Sequence, residues 1–140
     1  MRNPGLIKNF IAGGAIAAYR IGKFGASDNT ALQASAATDA LIGVCIQPGG
    51  AGQGDRVDFV LSGVAEVEFG DDITRGALLT SDADGKAVAV IRHTHTENTA
   101  GAYAQNATTG AATAGRVIGV AMCSGAAGDI GSVHILPSFA

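Results

Sequence analysis

Residues 41–60 read LIGVCIQPGGAGQGDRVDFV, and residues 117–136 read VIGVAMCSGAAGDIGSVHIL. Set at an offset of 76 without a gap, the two stretches share Ile42/Ile118, Gly43/Gly119, Val44/Val120, Gly49/Gly125, Ala51/Ala127, Gly52/Gly128 and Val57/Val133. Phe59/Ile135 and Val60/Leu136 add apolar pairs. Each copy reads as strand, Gly-rich turn, strand. Glycines supply the positive φ that turns require, and β-branched residues suit a pleated, half-buried surface. The pair therefore predicts an all-β chain in which the two copies frame a small barrel.

Working outward, Val57, Phe59, Leu61, Ala65, Val67 and Phe69 are all odd-numbered, whereas Asp58, Ser62, Glu66 and Glu68 are even. Alternation of period two puts one face inward and the other outward. Gly63 within that register predicts a bend carrying one strand around a barrel corner. Residues 77–80 and 86–91 are apolar runs separated by a turn containing Asp84-Gly85, a hairpin signature. Residues 17–24 form another strand candidate, and residues 27–38 read as loop or a short helical turn. Residues 1–14 read as an extended arm, and residues 92–116, polar and without periodicity, as one long loop. The fold class is thus a small β-barrel or jelly-roll-like sandwich, one domain over residues 1–140 with a single core.

Composition narrows function. The chain is 47% hydrophobic but only 5% aromatic, has 21 Gly and no Trp, and carries 15% charged residues against about 25% in typical soluble domains. Ala-rich burial removes little area per residue, so the protomer is expected to lean on partners. Nine Lys and Arg, scattered singly in a chain of net charge -3, form no basic stripe for phosphates. Direct nucleic-acid binding is not predicted. No apolar run approaches the roughly 18 residues of a membrane span. The start superficially resembles a signal peptide, but Gly13 and Gly14 dilute the apolar run at 10–18, and no export signal is read there. Cys45 and Cys123 allow at most one bridge and read as free thiols.

Chemistry-bearing patterns are sparse. His93-Thr94-His95 with Glu97 could place two imidazoles and a carboxylate on one face, and the spacing resembles the cupin metal motif. Glu97 stands too close to His95 for that motif, and His134 is a poor third ligand. Asp82-Ala83-Asp84-Gly85 resembles the middle of a calcium loop, but Ile91 occupies the place of the bidentate glutamate. No GK[ST], GxGxxG or GxSxG is present. No catalytic residue, cofactor or metal is predicted, and the chain is not expected to be an enzyme. A secreted or virion-attached carbohydrate-binding sandwich and a cupin-like enzyme using His93 and His95 are the alternatives; the first is disfavoured by the shortage of aromatics for ring stacking.

Three blocks carry a family resemblance: residues 40–44 with 54–57, residues 61–67 with 73–88, and residues 116–121 with 127–129. In that order they resemble the capsid decoration, or cement, proteins of tailed double-stranded DNA phages. The resemblance implies a β-barrel module assembled in the host bacterial cytoplasm and bound to the outer capsid surface of the virion. There it bridges neighbouring major capsid subunits as a homo-oligomer, dimer or trimer. The regions the resemblance leaves uncovered, the arm and the long loop, supply the expected interface residues: Leu6, Ile7, Phe10, Ile11, Arg92, His93, His95, Tyr103 and Arg116. On this reading, removing residues 1–11 would abolish docking and leave the barrel intact.

Overall fold

A computed structural model describes residues 3–90 and 115–139 of the chain, and every described element is a strand. β1 (Asn3–Pro4) and β2 (Ile7–Ala12) come first, followed by β3 (Ile21–Phe24), β4 (Thr30–Gln33), β5 (Leu41–Cys45) and β6 (Arg56–Val60). Five of these close a barrel in the order β2-β4-β3-β5-β6, with β6 returning to β2. The only parallel pair in this ring is β2 with β4. The residues read as an arm are therefore a barrel stave. Ile7 to Ile11 run antiparallel against Val60 to Arg56, and Phe10 and Ala12 point into the interior. Residues 27–38 likewise include a strand, β4, whose Ala31 is fully buried.

The alternating stretch from Val57 keeps its faces but is two strands. β6 ends at Val60, and β7 (Gly63–Glu68) starts at a glycine with φ +90° and belongs to a different sheet. That sheet also contains β8 (Leu78–Ser81), β9 (Ala87–Ala89), β10 (Arg116–Ala121) and β11 (Ile130–Phe139), ordered β1-β7-β11-β10-β8-β9. The hairpin predicted around Asp84-Gly85 joins β8 to β9: the Asp82 carboxylate accepts from the Asp84 and Lys86 amides, and Gly85 has φ +74°. A parallel bridge from Phe69 to Ala87 then brings β9 back beside the end of β7.

The sheet, drawn into a second ring by that one bridge, repeats the first ring strand for strand. β2, β3, β4, β5 and β6 correspond to β7, β8, β9, β10 and β11, with the parallel contact again between the first and third members. Backbone hydrogen bonds agree in detail. Gly13 donates to Ala31 as Gly70 does to Ala87, Tyr19 to Cys45 as Gly76 to Ala121, and Gly54 to Ala12 as Gly128 to Phe69. Positive φ recurs at Tyr19 and Gly76, at Asn29 and Gly85, and at Gly54 and Gly128. The expected all-β, barrel-containing fold is present, and the duplication is far longer than residues 41–60 and 117–136: one copy builds the closed barrel and the other the sheet beside it.

Internal duplication also explains the core, which comprises two buried clusters where one was predicted. Inside the first ring lie Phe10, Ala12, Ile16, Ala31, Ile42, Cys45, Val57 and Phe59. The larger cluster holds their counterparts, among them Val67, Phe69, Ile73, Ala87, Ile118, Ala121 and Val133. Volume is conserved by exchange. Phe59 covers Gly22 in the first ring, where an added Cβ would stand 2.7 Å from its Cζ. In the second, Phe69 takes the place of Ala12 and covers Gly131, at 2.6 Å from its Cε2. In each case a glycine opens the room that the covering phenylalanine fills.

The halves meet along an apolar row and a polar seam. Ala34, Ile21, Val44 and Val60, on the outside of the first ring, join the second ring's cluster. Beside them the β8–β9 turn is clamped: Arg20 and Gln33 both donate to the Asp84 carbonyl at 2.9 Å. Glu68 receives Lys86 at 3.0 Å and Arg20 at 3.4 Å. The Lys86 hydrogen bond first, then the Arg20 charge, hold the Glu68 carboxyl below the ordinary glutamate value against the opposing effect of burial. A lowered folded value means the stabilisation is complete above the unfolded value of about 4.3 and fades as pH falls through the folded one. Glu68→Gln is expected to cost roughly 1 kcal/mol at pH 7, a modest figure because the pair is partly solvated. In urea titrations the gap between variant and parent should close on acidification below about pH 4; a gap that persists there would assign the effect to packing.

Candidate interaction surfaces

The predicted interface residues separate into three groups. On β2 the barrel alternation decides: Phe10 is 4% exposed and belongs to the interior, with its ring edge-on to Phe59 at 5.6 Å. Its assignment as an anchor is corrected by that burial. Leu6 and Ile7, 57% and 43% exposed, and Ile11 stand outside the ring and remain available. Ile7, Asn9 and Ile11 share the outer face. Between the two isoleucines Asn9 is held, donating to the Asp58 carboxylate at 2.9 Å and accepting from Arg56 at 3.1 Å. The outer face of β2 is therefore apolar at both ends and tied down in the middle.

Arg116 forms the second group. It opens β10 opposite Phe139, and its amide donates to the Ala37 carbonyl at 2.9 Å, so the segment read as loop ends in a strand that contacts the first half. Arg92, His93, His95 and Tyr103, the third group, lie outside the described residues, as does the metal reading built on the histidines. Among the described residues no group of three or more His, Cys, Asp or Glu side chains is placed to hold a metal ion.

Two features escaped sequence reasoning. Phe24 is exposed beside the barrel mouth, with its ring 6.5 Å from that of Phe10, while Lys8 covers the Phe10 face at 4.4 Å. Nothing in the strand pattern distinguishes such a rim residue from a core phenylalanine. The other is the carboxylate cap inside each of the two Gly-rich turns preceding β6 and β11. The Asp55 carboxylate accepts from Gly52, and the Asp129 carboxylate from Ala126, at 2.9 and 2.8 Å. The Gly-Asp dipeptides 54–55 and 128–129 were the signal for this, and they set an offset of 74 for the turn and last strand. Gly54 and Gly128, both at positive φ, serve strand reversal.

No protein-family model matches the chain, and no curated protein matches it. Among solved structures, the chain is similar to one described as the crystal structure of head fiber gp8.5 N base in bacteriophage phi29. The superposition has a TM-score of 0.62 at 20% identity and covers 94% of this chain and 93% of that one. The all-β architecture is thus shared along nearly the whole length of both.

Proposed function

We propose that this protein is a non-enzymatic structural component of a phage virion. It binds the outer surface of the capsid and bridges neighbouring major capsid subunits, stabilising the shell. The observation that carries this reading is the fold shared end to end with a phage head fiber base. The exposed apolar residues Leu6, Ile7 and Ile11 support it by supplying a contact face on β2 and just before it. The partners are the major capsid protein and further copies of the chain. Copies joined to each other would gain avidity, typically 10²- to 10⁴-fold over one weak contact.

Co-sedimentation with shells assembled from the major capsid protein of the encoding phage tests the reading. The protein is expected to pellet with shells. Leu6→Asp combined with Ile7→Asp should lower that binding at least tenfold, while thermal unfolding stays nearly unchanged because both sites are exposed. Wild-type protein that remains in the supernatant at shell excess would overturn the proposal.

A further inference from the structure

Because the two halves follow one plan, each exposed position in one can be compared with the same position in the other. In the first half the Ala34 amide donates to Ile21, Ile21 lies opposite Val44, and Val44 lies opposite Val60. The second half has the identical row: the Val90 amide donates to Leu78, Leu78 lies opposite Val120, and Val120 lies opposite His134. Cross-strand partners point to the same face. The first row is sealed, with Ile21, Val44 and Val60 at 0% exposure beneath the second half. Its counterpart is open. Leu78 is 37% exposed, Val90 and Val120 are half-buried and His134 is exposed, and Leu136, 56% exposed, extends the face along β11.

We infer that the outer face of β8, β10 and β11, centred on Leu78, Val120 and Leu136, docks a second copy of this chain. The occupant follows from the molecule itself. The same strand row already has one known cover, and that cover is a copy of the same five-stranded unit. In the contact already present the row meets a surface unlike itself, and a contact of that kind between copies joins unlike surfaces and leads to a ring or a row of copies. The inference deepens the self-association proposed above, and it rests on the duplication and not on the capsid contact.

Sedimentation velocity of the full chain, taken to about 100 µM, where a micromolar contact is saturated, is the test. Wild-type protein should sediment as a multimer. Val120→Asp and Leu136→Asp should each raise the apparent dissociation constant at least tenfold, and Phe24→Asp, equally exposed but on the first half, should not. Leu136→Asp decides the matter if Val120→Asp proves unstable, since Leu136 already faces water. A monomeric wild type would overturn the inference, whether Leu78 and Val120 amides exchange freely or are protected by the chain's own remaining residues. A multimer indifferent to both substitutions would overturn it equally. Shell binding by a monomer would leave the capsid reading standing without this one.

Discussion

Gly119→Ala or Gly43→Ala is expected to abolish cooperative folding or to lower the thermal midpoint by roughly 15 °C, the consequence of losing on the order of 4 kcal/mol or more. A Cβ at Gly43 would overlap the Val60 carbonyl oxygen and stand 2.9 Å from its carbonyl carbon. At Gly119 the same overlap occurs with His134, again 2.9 Å from the carbonyl carbon. The obstacle in both cases is backbone, which has no rotamer to yield. Register shifts accompany these sites, between Val117 and Gly119 against β11 and between Gly22 and Lys23 against β5. Such irregularities bend a strand enough for a ring of only five to close. Gly52→Ala is the control: its Cβ would meet nothing nearer than the Asp55 carboxylate at 3.4 Å, so an effect within about ±0.5 kcal/mol is expected. Equal damage from all three substitutions would show that the close crossing is not the cause.

Those two glycines were legible, and why they were while much else was not is a matter of register. Val44 and Val120 occupy the same place in the two rings, 76 residues apart, so Ile42-Gly43-Val44 and Ile118-Gly119-Val120 align directly. After the turn the true spacing falls to 74, since Arg56 and Ile130 lie opposite Ile11 and Glu68. Phe59 thus corresponds to Val133, not Ile135. A slip of two residues leaves every side chain on its proper face, and the hydrophobic pattern gives no sign of it. Upstream, Ile11 and Glu68 are 57 apart and Ala31 and Ala87 are 56 apart. Some 20 residues are therefore added between β9 and β10 in the second half, where residues 91–114 lie, and no single offset could display the whole repeat. Identity was also erased where the physics tolerates exchange. Phe10 and Ala12 become Val67 and Phe69, while Tyr19 and Asn29 hold positive φ where Gly76 and Gly85 do so with less strain. That Leu6, just before β2, and Ile7 and Ile11 on it are apolar was plain in the sequence; that they are exposed follows from the barrel. The open row on the second half was not legible, because it is defined only by comparison with its buried twin.

Removing residues 1–12 is expected to destroy the first ring, not merely a docking element. The truncation takes away the whole of β2, and with it the pairing of Ile7 to Ile11 against β6 and of Ile11 and Ala12 against β4. It also opens the interior by deleting Phe10 and Ala12. Loss of a buried Phe alone typically costs 3–5 kcal/mol, and two freed strand edges add unpaired backbone groups, against a total stability of about 5–15 kcal/mol for a domain. The damage should spread: Ile21, Val44 and Val60, carried on β3, β5 and β6, also seal the second half's core. Hydrogen exchange on the truncated chain should therefore show lost protection at Gly43 to Cys45 and weakened protection at Ala65 and Val133. Full protection at these sites would restore the reading of residues 1–14 as an arm separate from the barrel. The consequence for function is practical. A truncation that no longer binds shells would report unfolding, so the capsid contact has to be probed by the exposed-site substitutions Leu6→Asp and Ile7→Asp, which remove apolar surface and leave the stave in place.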